Sequence, residues 1–234
     1  MVQNRKYLII GASSGIGLAI SKKLSETGAQ VVGTYFKNKI GNTGIDSEYQ
    51  YFDVMGKELD PKTFPEVLDG LVYCPGTISL LPFNRINPQK FLEDYQFQFL
   101  GLVRSVQMAL PFLKKSTQAS VIFFSTVAVQ IGLPFHSLVA SSKGAIEGLT
   151  RSLAAEFAPQ IRFNCIAPAL VETPLAASLL NTEEKKLNLA QKNPLKRLGQ
   201  PEDIAEMACF LLSDKSSWMT GQIIHLDGGF GSIK

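Results

Sequence analysis

"YLIIGASSGIG", running from Tyr7 to Gly17, is the stretch on which the fold reading turns. A short apolar run suited to a buried strand leads into three glycines, Gly11, Gly15 and Gly17, after which the pattern becomes helical as far as Thr27. A helix that begins this way offers unpaired backbone N–H groups to an anion, and glycine lets a pyrophosphate approach with no Cβ in the way. A glycine triplet alone is weak evidence, because tight turns use the same residues. Here the strand before it and the helix after it supply the context of a dinucleotide-binding loop. Ser13, Ser14 and Ile16 belong to the same candidate cofactor site.

Working outward, short β-branched or aromatic runs alternate with longer helical patterns, the signature of parallel strands joined by helical crossovers. Strands are expected at Lys6–Ile10, Gln30–Tyr35, Tyr49–Asp53, Gly70–Cys74, Ser120–Ser125, Ile161–Ile166 and Gln222–Leu226. Helices are expected at Gly15–Thr27, Pro88–Lys114, Leu138–Phe157 and Pro201–Leu212. Asn87 and Gln200 each stand before a proline at the first helical position, where the missing N–H is no loss. Asn38–Ser47 is polar and glycine-rich, and Gly56–Val67 carries two prolines with little periodicity, so the crossover there should be short or irregular. The expected fold is a single-domain, Rossmann-type, doubly wound parallel α/β sheet of about seven strands with helices on both faces. It occupies residues 1–234, with a substrate lid near 176–197.

Composition narrows the function classes. With 234 residues, 45% hydrophobic and 18% charged, the chain can bury one sizeable core. Its net charge of +3 is spread without basic blocks, which points away from nucleic acid and membrane surfaces and toward small-molecule substrates. Cys74, Cys165 and Cys209 are odd in number and lack CxxC spacing, so neither a disulfide framework nor a metal site is expected. The strand-like run begins by Lys6 and no apolar stretch is long enough to span a bilayer, so the expectation is a soluble cytoplasmic protein.

The Gly-x-x-x-Gly-x-Gly spacing at Gly11, Gly15 and Gly17 resembles the short-chain dehydrogenase/reductase family, and further segments extend the resemblance along almost the whole chain. "FDV", with Asp53 and Val54, resembles the acidic segment beside the adenine; in "YCPG" only Gly76 survives from the family's NNAG. "RFNCIAPALVETPL" is similar to the segment framing the nicotinamide, which implies cofactor contacts from Pro168, Val171 and Thr173. "NPLKRLGQPEDIAEMACFLLSD" and "MTGQIIHLDGG" resemble the 3-oxoacyl-carrier-protein reductase branch. Where an NAD enzyme carries an acid after the second strand, this chain has Tyr35, then Lys37 and Lys39; a 2′-phosphate would meet hydroxyl and ammonium groups, so NADP(H) is favoured over NAD(H).

The resemblance also sets the catalytic positions. The family uses a tyrosine as proton donor, a lysine four residues on that holds the nicotinamide ribose, a serine for the carbonyl and an asparagine for a water relay. Aligned on Lys143, the tyrosine position is Val139, which has no exchangeable proton. Thr126, with Ser125 adjacent, takes the serine position, and Gln98 takes the asparagine position with a longer reach. His136 precedes Lys143 by seven residues, the offset at which related enoyl reductases place their tyrosine, and an imidazole suits acid chemistry near neutral pH. Tyr73 and Tyr95 are weaker candidates, and His225 is expected to be a hydrogen-bonded strand residue.

Two readings stay open. One is an NADP(H)-dependent reductase acting on a small carbonyl or activated alkene, its proton coming from His136 or a water. The other is a cofactor-binding sensor, scaffold or complex subunit without turnover. In either, the aromatic excess of "FLEDYQFQFLGLV" marks an oligomer interface or an overfilled core, and the family resemblance implies a homodimer or homotetramer.

Overall fold

The computed structural model describes residues 4–37, 47–56 and 61–233. Lys39 and nearly all of the polar Asn38–Ser47 stretch lie outside them. The strands are β1 (Lys6–Ile10), β2 (Gln30–Tyr35), β3 (Ser47–Tyr51), β4 (Gly70–Tyr73), β5 (Ala119–Phe124), β6 (Ile161–Pro168) and β7 (Ile223–Leu226). They pair in the order β3-β2-β1-β4-β5-β6-β7, all parallel. The helices are α1 (Gly15–Glu26), α2 (Pro88–Tyr95), α3 (Gly101–Leu113), α4 (Ala128–Ile131), α5 (Ser137–Phe157), α6 (Glu183–Lys192) and α7 (Pro201–Leu212).

Strand alternation shares the core between two layers. In β1, Leu8 and Ile10 join one buried cluster while Tyr7 and Ile9 join the other. β5 divides the same way, Val121 and Phe123 against Ile122 and Phe124. A sheet covered on both faces needs apolar residues at successive positions, which is why these strands read as continuous hydrophobic runs. Residues of α3 and α5 pack in the first layer, and residues of α1 and α7 in the second.

Three features depart from the sequence expectations and one agrees with them. β3 starts and ends two residues early; past its end, Asp53 Oδ1 accepts from the Met55 N–H at 2.9 Å and turns the chain. The helix expected over Pro88–Lys114 is divided by a π-helical turn at Gln96–Leu100, and the wider turn carries the Gln98 side chain into the interior. Between Gly56 and Val67 a single 3₁₀ turn, Pro61–Thr63, occurs among the described residues, in keeping with an irregular crossover. His225 in β7 has its Nε2 buried without a hydrogen-bond partner, unlike the paired strand residue expected.

Candidate active site

The C-terminal ends of the parallel strands deliver the predicted residues to one edge of the sheet. Gly11 and Gly15 have φ of +78° and +51°, values that favour glycine. A Cβ on Gly17 would lie 2.2 Å from the Gly11 carbonyl oxygen, so the loop closes against α1 only without one. Ser14 caps α1 with no side-chain hydrogen bond, leaving the helix's first N–H groups to a ligand. Tyr35 ends β2, Lys37 is exposed just beyond it, and Asp53 and Val54 follow β3. The residues present therefore fit the adenosine and pyrophosphate of a dinucleotide.

Next to this loop lies a cavity of about 460 Å³. Thr173, whose Cβ would be 3.3 Å from a Cβ on Gly15, joins the loop to the cavity. Ile16, Gly76, Pro168 and Val171, all predicted cofactor contacts or their neighbours, line it together with Ser125, Thr126, His136, Val139 and Lys143. Leu175, Ala176, Leu179, Leu189, Lys192 and Asn193 close it from the segment of the expected lid.

Comparison with known proteins follows this geometry. The family model described as enoyl-(acyl carrier protein) reductase matches residues 11–231. The chain belongs to the short-chain dehydrogenase/reductase family. It is 30% identical to the 3-oxoacyl-[acyl-carrier-protein] reductase FabG of Thermotoga maritima, over 97% of this chain and 98% of that protein. It is 33% identical to a tropinone reductase homolog of Arabidopsis thaliana, over 96% of this chain and 90% of the relative. Among solved structures, the aldohexose dehydrogenase of Thermoplasma acidophilum superimposes with a TM-score of 0.89 at 25% identity, covering 100% and 96% of the two chains. The gluconate 5-dehydrogenase of Burkholderia cenocepacia, in complex with NADP and tartrate, gives 0.88 at 25% identity, covering 98% and 96%.

Within this short-chain dehydrogenase/reductase, Val139 and Lys143 lie one turn apart on the buried face of α5, each 7% exposed. The two hydroxyls at the end of β5 are distinct. Ser125 Oγ donates to Glu147 Oε1 at 2.6 Å, which commits its proton. Thr126 Oγ1 accepts from the Ala128 N–H at 3.3 Å and keeps its own proton for a ligand. His136 Nδ1 lies 2.7 Å from the Pro134 carbonyl oxygen, an acceptor only, so Nδ1 carries the hydrogen. A neutral ring held this way presents Nε2 as an acceptor, and donation from Nε2 requires the doubly protonated ring.

One residue absent from the sequence expectations gathers side chains beside the cavity. Asp94, buried on α2, accepts three hydrogen bonds: from Thr77 Oγ1 at 2.7 Å, Gln98 Nε2 at 2.7 Å and Ser142 Oγ at 2.6 Å. The four-residue spacing of Asp94 and Gln98 was a visible signal, but Thr77 and Ser142 come from other elements. Gln98 is 0% exposed, and its Oε1 has no partner. A Cβ built on Gly76 would lie 3.7 Å from both Gln98 Oε1 and Lys143 Nζ, so amide oxygen and ammonium border one point. Burial lowers the Lys143 ammonium to about 8, with Cys165, Asp94 and Cys74 acting in the opposite sense.

The weaker candidates have structural roles. Tyr73 is buried and donates to the Phe97 carbonyl at 3.1 Å. Tyr95 stacks on Phe99 with ring centroids 4.7 Å apart. Burial pushes the Cys74 and Cys165 thiols up to about 12, which keeps both protonated and poorly nucleophilic near neutral pH. Among the described residues, no cluster of His, Cys, Asp or Glu is placed to hold a metal ion, and no helix is long and apolar enough to cross a membrane.

Proposed function

We propose that the chain is an NADP(H)-dependent reductase acting on a small carbonyl or activated alkene, and that it works as a homodimer or homotetramer. The observation that carries this reading is the single cavity that joins the glycine loop, through Thr173, to Lys143 and Thr126. The tartrate-bound, NADP-bound gluconate 5-dehydrogenase supports a small oxygenated substrate, and the two reductase relatives support the direction of reaction. Tyr35 and Lys37 in place of an acid support NADP(H).

Bound in the cleft, the reduced nicotinamide supplies a hydride. The chain's own residues do the rest. Lys143 holds the ribose hydroxyls, and the Thr126 hydroxyl donates to the substrate oxygen as negative charge develops on it. His136 Nε2 accepts from a substrate hydroxyl and orients it, while the aliphatic walls, Leu170, Leu175 and Leu179 among them, exclude water. Val139 contributes shape and no proton.

The test is NADPH consumption across ketones, 3-oxoacyl thioesters, enoyl thioesters and quinones. Turnover of at least one class is expected. Val139→Tyr restores a positioned acid and should raise ketone reduction about a hundredfold or more. His136→Ala should raise KM more than it lowers kcat. No consumption with any class, wild type and Val139→Tyr alike, would favour the sensor or scaffold reading instead.

A further inference from the structure

Reduction of a carbonyl needs a proton at the end, and the position one turn before Lys143 holds an isopropyl group. Three observations point to a different source. First, Val139 and Lys143 both line the cavity, and Lys143 Nζ lies 3.7 Å from a Cβ built on Gly76, which lines it as well. Second, Lys143 is wired for charge. Asp94 accepts from Thr77, Gln98 and Ser142 and supplies the carboxylate that favours the charged ammonium, while the neighbouring Cys74 and Cys165 thiols stay protonated. Third, donation of Gln98 Nε2 to Asp94 fixes the amide so that Oε1, buried and unpartnered, points away from the carboxylate and borders the same point as Lys143 Nζ.

We propose, on the basis of the reductase reading above, that Lys143 is itself the terminal acid of this enzyme, with Asp94 and Gln98 as its positioning residues. The hydride closes on the carbonyl carbon, and the C=O π pair moves to oxygen. That oxygen takes a proton from Lys143 Nζ, an O–H bond forming as an N–H bond breaks. Lys143 is left as a neutral amine and regains its proton from a water held by Gln98 Oε1, so the hydride and two electrons come from the reduced nicotinamide and the proton from solvent. In the family the lysine serves the tyrosine; here it replaces it.

Burial has brought Lys143 near 8, which suits an acid working close to neutral pH. Other ionisable groups around it are Asp94 on α2, Cys74 beyond β4, Cys165 on β6, His136 at the start of α5, and Glu147 one turn further on, already held by Ser125 and facing Arg151. An acid acts while protonated, so kcat should be level below about pH 8 and fall about tenfold per unit above it. A water donor would give no such break.

The decisive variant is Lys143→Arg, which keeps the positive charge for the ribose but does not release a proton. NADPH affinity, read by fluorescence, should stay within about threefold while single-turnover reduction falls about a hundredfold or more. Independently of activity, the Cε resonance of Lys143 in the cofactor-free protein, assigned by its absence in Lys143→Arg, should titrate near 8. Asp94→Asn should move that midpoint lower, which a merely structural carboxylate would not do. Reduction by Lys143→Arg within threefold of wild type would overturn the proposal while leaving the reductase reading intact. So would an NMR midpoint at the ordinary lysine value, or one that Asp94→Asn leaves in place. A wild type inert across the whole substrate panel overturns both.

Discussion

At the scale of single residues, the site depends on what is missing as much as on what is present. Val139 carries no exchangeable proton, Gly76 places no side chain at the point bordered by Gln98 Oε1 and Lys143 Nζ, and the end of β2 lacks a carboxylate. Tyr35 makes the last point testable. It ends β2, and its ring meets Tyr51 edge-on with centroids 6.0 Å apart. Tyr35→Asp would place a negative charge against a 2′-phosphate, and a like-charge encounter costs several kcal/mol. The ratio of NADH to NADPH dissociation constants should fall about tenfold to a hundredfold, measured by fluorescence titration. An unchanged ratio would show that the 2′-phosphate, if bound, is recognised elsewhere.

At the scale of elements, the features that hold the site are joints between strand ends and helices. Arg162 at the start of β6 is one. Its Nη1 donates to the Ser216 carbonyl and Oγ at 3.0 and 2.9 Å and to the Met219 carbonyl at 3.3 Å; its Nη2 donates to the Leu211 and Ser213 carbonyls at 2.9 and 3.1 Å. This one guanidinium gathers the C-terminal end of α7 and the turn leading to β7. Arg162→Ala leaves those partly buried acceptors unsatisfied and should lower unfolding stability by about 2–4 kcal/mol, read as a lower urea midpoint. The π-helical turn at Gln96–Leu100 is a second joint, bringing Gln98 Oε1 to within 3.7 Å of a Cβ built on Gly76, a point that Lys143 Nζ borders at the same distance.

At the scale of the whole molecule, the outer face of α5 carries small exposed residues, Ser141, Gly148, Ser152 and Ala155. A Cβ on Gly148 would meet nothing within 4 Å in the single chain. Gly148→Trp should therefore leave the monomer fold intact, yet shift sedimentation from dimer or tetramer toward monomer if copies pack through this face. An unshifted profile would free α5 from the interface. Much of this molecule was legible before its structure. The glycine loop, the seven strands and the prolines at the starts of α2 and α7 were readable because side-chain period, glycine freedom and a missing N–H are local properties that composition and spacing express directly. Lys143, Thr126 and Val139 were placed through the family resemblance, since one helical turn relates residues four apart. The role of Asp94 was not legible, because its three donors approach from the π-helical turn at Gln96–Leu100, from α5 and from the loop after β4. Nor were the division of roles between Ser125 and Thr126, the tethering of His136 to Pro134, and the lowered pKa of Lys143. Each depends on burial and on partners distant in the chain, and those exist only once the sheet and its helices have closed around the cleft.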